Sequence, residues 1–397
     1  MTERERILKT IDGIAPTLRE IALEIHANPE LGFEEHRAAS LWSDLLERHG
    51  FCLERNIAGL ETAFKASNGS GAVTAAFMVE YDALPGIGHG CGHNLNGAAA
   101  CGASIGLGSV VDQIGGRVIA FGSPGEEGIG GKVYIVEAGC LDGVDFAMMA
   151  HARDRHMGGM THNAVARYKV MFHGKSAHAA VAPEEGINAL DAVIQVFNGV
   201  NAMRQQMRQV ARIHGIIRKG GDAPNIIPDY TEAVFYLREE DDEHIETLRR
   251  KFVGIIEGAA TQTGARSEVE EFGRSYKASI PNKVLDRVYI KNAAELGVEI
   301  RETEHAFAKG STDMGNVAQT VPGIHTAFQI APEPTPVHSR AFCAAAATDA
   351  ALESMVTAAK ILALTAYDII TDADLLAEMK EEFRLRFGKA EETQASS

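Results

Sequence analysis

The stretch Gly90-Cys91-Gly92-His93-Asn94 sets a thiol and an imidazole two residues apart among glycines, and an adjacent carboxylate pair, Glu126-Glu127, follows further along the chain. A thiolate, an imidazole and two carboxylates are the donors that a divalent metal site with its own general base requires. In such chemistry one carboxylate ligates metal while its neighbour, turned elsewhere, holds and deprotonates a bridging water. The residues alone leave open which glutamate does which, and Cys91 and His93 could reach one metal or two adjacent ones. A blander reading stands beside this one: a tight loop packing a small thiol, and two solvated charges. Against it, Pro124-Gly125 and Gly128-Ile129-Gly130-Gly131 make an unusual turn for mere surface around the glutamates.

These groups need a scaffold that gathers them, and the hydrophobic pattern supplies one. The run 72–79 is almost wholly apolar and leads into Tyr81-Asp82-Ala83-Leu84-Pro85, as a buried strand does when it delivers polar residues at its C-terminal end. A small-residue helix over 96–111 follows. Apolar strands at 117–121 and 146–150 then run into Glu126-Glu127 and into His151. Alternation of this kind predicts an α/β sheet with the chemistry collected at its strand ends. Upstream, helical periodicity covers 5–27, with a break expected near Gly13 and Pro16, and a second helix covers 35–49. From 165 the pattern changes to alternating strands at 167–172, 213–218, 231–237 and 268–272, with helices at 186–204 and 243–262, an α+β module. After Pro281 the α/β character returns, with a strand at 326–330 and a long amphipathic helix ending near Ile370. The expected architecture is therefore two-domain α/β: a catalytic domain of residues 1–164 and 276–397 with a smaller α+β domain, 165–275, inserted in it. A polar tail spans 391–397.

The chain has 397 residues, more than one core usually organises, and 54 acidic against 38 basic side chains give a net charge of −16. That charge repels phosphate backbones and anionic lipid, which argues against nucleic acid and membrane partners and for a small-molecule substrate. No stretch reads as apolar for long enough to cross a bilayer. The five cysteines, Cys52, Cys91, Cys101, Cys140 and Cys343, show no pairing rhythm, and the N-terminus is charged, so a cytoplasmic location is expected.

Taken in order, Tyr81-Asp82-Ala83-Leu84-Pro85, Gly90-Cys91-Gly92-His93-Asn94, Glu126-Glu127, the His151 strand end, Gly174-Lys175-Ser176-Ala177-His178-Ala179-Ala180, Ala223-Pro224-Asn225-Ile226-Ile227-Pro228 and Ser311-Thr312-Asp313-Met314-Gly315-Asn316 resemble the motifs of the M20 metallopeptidases. The resemblance covers nearly the whole chain and is strongest to the subfamily D amidohydrolases, the branch of aminoacylase-like and aminobenzoyl-glutamate hydrolases. It implies a di-metal centre of two divalent ions, Mn²⁺, Zn²⁺ or Co²⁺, ligated by Cys91, His93, Glu127, His151 and His338. It leaves Glu126 as the general base and Asp82 as the acid that orients the centre. His325 competes with His338 but is read as packing just before its strand. The resemblance also implies a lid domain that makes a homodimer, with His214 donating to the substrate carbonyl across the dimer and Asn225 contacting substrate. The plain alternative for His214 is a strand histidine facing solvent. His178 reads as a structural or hinge residue.

One segment departs from the family pattern. Arg153-Asp154-Arg155-His156 follows His151 at once, and two guanidiniums there could clamp a substrate carboxylate; the alternative is a salt bridge among Arg153, Asp154 and an outer acidic group. The function expected is hydrolysis of an amide C–N bond in an N-acyl amino acid, dipeptide or aminobenzoyl-glutamate type substrate, with Glu126 activating a metal-bridging water. Two other readings are hydrolytic deamination of an amino-substituted aromatic acid at the same centre, and a non-catalytic metal-dependent binding protein.

Overall fold

The computed structural model of the protein describes residues 1–300 and 310–388, so the polar tail lies outside the described residues. The chain forms two compact units: Met1–Thr161 belongs to the first and His162–Ala278 to the second, after which the chain returns to the first at Ser279. The first unit opens with helices α1 (Glu3–Ala27) and α2 (His36–Arg48). Thr2 starts α1 with a reciprocal cap, its hydroxyl accepting from the Glu5 N–H while the Glu5 carboxylate accepts from the Thr2 N–H. The expected break near Gly13 and Pro16 does not occur. Ile7, Ile11, Leu18 and Ile25 are buried along one face, and at about 1.5–3 kcal/mol each they outweigh the roughly 3 kcal/mol that an interior proline costs a helix.

Strands β1 (Cys52–Arg55) and β2 (Phe64–Asn68), absent from the sequence pattern because they are short and half polar, precede β3 (Val73–Val79). Helix α3 (His93–Gly108) begins three residues earlier than its small-residue pattern indicates, so His93 stands on its first turn. Then come β4 (Gly116–Gly122), the short helix α4 (Gly131–Glu137) and β5 (Phe146–Arg153), which extends past its apolar run so that His151 lies inside the strand.

The second unit contains β6 (Ala164–His173), α5 (Ala189–Met203), β7 (Arg212–Lys219), β8 (Tyr230–Glu239), α6 (Asp242–Thr263) and β9 (Arg266–Glu271). Its four strands form an antiparallel sheet in the order β7-β8-β6-β9. Val170, Phe172, Phe235 and Leu237 pack with Val193 and Val196 of α5 and Phe252 and Ile256 of α6 in a core of its own. Tyr276 pairs back onto Val165, which carries this unit to Ala278.

The first unit is completed by α7 (Lys283–Glu295), α8 (Met314–Ala318), β10 (Gly323–Gln329), α9 (Arg340–Ala345), α10 (Asp349–Thr371) and α11 (Ala373–Phe387). Its sheet has the order β1-β2-β4-β3-β5-β10, parallel through β4, β3, β5 and β10 and antiparallel where β2 meets β4 and β1 meets β2. Helix α10 corrects one expectation, since by length and apolarity it would pass for a membrane span. With 67% of its most apolar window buried, it packs as a core helix against α3, α1 and α7.

Candidate active site

The C-terminal ends of β3, β4 and β5 deliver the groups picked out by sequence. Glu80, Tyr81 and Asp82 follow β3, Cys91 and Gly92 lead into α3, Glu126-Glu127 lie in the turn between β4 and α4, and His151 is near the end of β5. Gly92 makes the bend between thiol and imidazole possible: its φ is 77°, and a Cβ there would fall 2.6 Å from the Ala152 Cβ. Cys91 Sγ lies 3.6 Å from His151 Nε2 and 3.4 Å from His338 Nε2, and His338 Nε2 lies 3.3 Å from Glu127 Oε1. His338 holds a left-handed φ of 61° while its N–H donates to the Gly90 carbonyl at 2.8 Å, a strained backbone of the kind that gathers at functional sites. Three overlapping groups, Cys91/His93/His151, Cys91/Glu127/His338 and His93/Glu126/Glu127, each have donor atoms within 4.8 Å of one another.

Tautomers and charge point the same way. His93 Nδ1 donates to the Asp82 carbonyl at 3.0 Å and the Asp82 carboxylate at 2.9 Å, which turns Nε2 inward, buried and without a hydrogen bond among the described residues. His151 Nδ1 donates to the Ala152 carbonyl at 2.7 Å, leaving Nε2 to face Cys91. Metal-ligating histidines show this arrangement. The other Asp82 oxygen accepts from the Glu127 N–H at 2.9 Å, so one carboxylate orients both His93 and Glu127. Burial disfavours charge on His93, yet Asp82 and Glu80 hold its pKa well above the ordinary value. Hydrogen bonds to Cys91 and then Glu127 push that of His338 up to about 10. Burial, and then the charges of Arg153 and His93, hold His151 well below its ordinary value and its ring neutral, and the sulfur, nitrogen and oxygen donors of the cluster fit one or two divalent metal ions.

A fourth group, Glu80/Glu126/Asp313, has the same donor spacing but already contains a cation. Lys132 Nζ donates to Glu80 Oε1 at 2.5 Å and to Asp313 Oδ1 at 2.6 Å, and Lys132, Glu80 and Asp313 are all fully buried. Burial first, then the charges of Glu127, Glu80 and Asp313, hold the Glu126 carboxyl well above the usual carboxylate range, the direction a general base needs. Sequence reading gave no role to Glu80, Lys132 or Asp313. A glutamate ending a wholly apolar strand and a lysine closing a run of glycines were the available signals.

The remaining expected residues separate. Arg155 is paired with Asp154 at 3.2 Å and Glu333 at 2.8 Å, so the ion pair to Asp154 and an outer acid forms through Arg155 and not through the expected Arg153. Arg153 has a buried Nε with no hydrogen bond and no ion pair among the described residues. His325 lies within β10, not before it, with its ring 5.5 Å from that of His151. In the second unit His214 is exposed on β7 and its Nε2 accepts from Arg238 Nε at 3.3 Å, so the neutral ring carries its proton on Nδ1 and offers a donor there. Asn225 is exposed, with its carbonyl accepting from the Ala179 N–H at 3.0 Å, and His178 Nδ1 accepts from the Ala180 N–H at 3.2 Å.

Residues 160–263 match the peptidase dimerisation domain family. The Xaa-Arg dipeptidase of Mus musculus is 36% identical over 400 residues that span 96% of this chain and 92% of that protein. A p-aminobenzoyl-glutamate hydrolase chain of Escherichia coli K12 is 29% identical over 439 residues, spanning 91% of each. Among solved structures, a dinuclear metal binding peptidase of the M20 family from Bacillus subtilis has the same fold, with a TM-score of 0.69 at 21% identity over 90% of this chain and 99% of that one.

Proposed function

The chain belongs to the M20 family of metal-dependent hydrolases acting on C–N bonds, and from that premise we propose that it cleaves the amide bond of a small substrate bearing a free carboxylate. Cys91, His93, Glu127, His151 and His338 hold two divalent metal ions in this reading, and Glu126 is the general base. The observation that carries it is the overlap of three donor groups through Cys91, His93 and Glu127, with Glu126 in one of them. When bound, such a metal pair supplies Lewis-acid polarisation of the carbonyl and a lowered pKa for water.

The chain's own residues do the rest. Glu126 takes a proton from the water whose oxygen attacks the carbonyl carbon, and returns it to the nitrogen as the C–N bond breaks. Asp82 keeps His93 and Glu127 in register through the two bonds it accepts. Arg153, which has no acid partner among the described residues, holds the substrate carboxylate. His214 donates from Nδ1 to the carbonyl oxygen in a homodimer made through the second unit, where Ile216 on the edge strand β7 is 61% exposed, and Asn225 contacts the substrate. Dipeptides ending in arginine and p-aminobenzoyl-glutamate, the substrates named by the relatives, both carry the required carboxylate. The mixed donor set takes Zn²⁺, Mn²⁺ or Co²⁺, and five free thiols suit the reducing cytoplasm.

The test is Glu126→Gln on metal-loaded protein. Turnover of an Xaa-Arg dipeptide or p-aminobenzoyl-glutamate should fall by about a thousandfold or more while metal content stays unchanged. Undiminished turnover removes Glu126 from the mechanism.

A further inference from the structure

Lys132 is fully buried, and nothing in the proposed reaction uses it. Besides its two ammonium bonds to Glu80 and Asp313, its backbone N–H donates to Asp313 Oδ2 at 3.0 Å, so Asp313 grips the residue at both ends. The carboxylate oxygens of Glu80, Asp313 and Glu126 lie within 4.8 Å of one another. Three carboxylates so close in a dry pocket cannot stay ionised without a cation among them. Here that cation is covalently part of the chain. An ammonium has three donors, of which Glu80 and Asp313 take two, and Glu126 is the remaining carboxylate of the group.

We propose that Lys132, clamped between Glu80 and Asp313, is a positioning residue for Glu126, its ammonium holding the carboxylate in the orientation from which it moves protons. This rests on the reading of Glu126 as the general base. The clamp is tied to the rest of the cluster. The second Glu80 oxygen accepts from Asn96 Nδ2 at 3.1 Å and stands 3.7 Å from His93 Nε2, while Asn96 Oδ1 accepts from the Ala152 N–H of β5 at 2.8 Å. The backbone leaves Lys132 little room to move, because a Cβ on its neighbour Gly131 would fall 1.9 Å from the Pro124 carbonyl oxygen.

Steady-state kinetics with p-aminobenzoyl-glutamate and an Xaa-Arg dipeptide, on metal-loaded Lys132→Met, Asp313→Asn, Glu126→Gln and the Lys132→Met/Glu126→Gln double variant, test this. Lys132→Met should lower kcat about a hundredfold, the lower end of what a placed base contributes, with KM and metal content within about twofold of the parent. On top of Glu126→Gln the same change should lower the residual rate by no more than about threefold, since residues acting as a unit are not additive. Asp313→Asn, which keeps the side-chain volume, should lose about tenfold in kcat at constant KM, and it carries the test if Lys132→Met does not fold. Parent-like kcat in the folded variants overturns the proposal. So does a loss that multiplies in full onto Glu126→Gln, or one that tracks falling metal content, since either marks a structural brace. Parent-like turnover of Glu126→Gln alone removes the reading of Glu126 itself, a result distinct from any obtained with Lys132.

Discussion

The donors Cys91, His93, Glu127, His151 and His338 converge as groups that could hold a metal ion, whereas Glu80 and Asp313 close on the ammonium of Lys132. Both groups draw on residues that follow β3 and β4 and both bring carboxylates together, and such charge must be neutralised where it is buried. They differ in whether the neutralising cation can leave. A covalent ammonium fixes geometry permanently and cannot polarise a substrate as a metal does. A site made of exchangeable donors accepts a Lewis acid but depends on supply, pH and competing chelators. On the proposed reading the first unit separates holding the base from activating the substrate, and assigns a different cation to each.

Stripping the exchangeable cation is the strongest way to break this contrast. Dialysis against a chelator should abolish turnover and lower the melting temperature, because whatever binds only the native state stabilises it, and readdition of Zn²⁺, Mn²⁺ or Co²⁺ should restore both. Retention of full activity after verified metal loss would leave no difference between the two groups. Next in size, Asp82→Asn should weaken metal binding about 10- to 100-fold, as loss of an outer partner of a ligand does, read by titration with a competing chelator. An unchanged affinity would mean that the Asp82 bonds to His93 and Glu127 do not orient the cluster. Arg153→Ala should raise KM for carboxylate-bearing substrates about tenfold, in keeping with a charge-assisted hydrogen bond of about 1.5–3 kcal/mol. Arg155→Ala, whose charge is already matched by Asp154 and Glu333, should change KM by less than about twofold and stability by less than about 0.5 kcal/mol. Equal effects from the two arginines would restore the clamp that their contacts argue against.

What could be read from sequence follows the physics of each feature. Apolar strands that end in Asp82, Glu126-Glu127 and His151 announce themselves locally, and a parallel sheet brings such ends to one rim. The antiparallel edge of the first sheet escaped because β1 is too short and exposed for alternation to register. Pro16 misled because local propensity carries no knowledge of the buried isoleucines that override it. The Lys132–Asp313 bond joins residues 181 positions apart, and a lysine beside glycines looks solvated until the fold closes over it. Arg155 was ambiguous for the same reason, since Glu333, its partner, is remote in sequence.

The insertion also orders events in time. All four strands of the second sheet, β6 to β9, are made before the ribosome reaches Asp313, β10 or His338. Because domains fold as units in the order they emerge, the second unit can be finished while the sheet of the first still lacks an edge strand. A nascent chain carries Cys91, His93, Glu126, Glu127 and His151 for more than half of its synthesis, yet the last donor and the anchor of Lys132 arrive only near the end. With His338 and Asp313 in the roles proposed above, hydrolytic capacity is withheld from the unfinished polypeptide by the order of its own sequence.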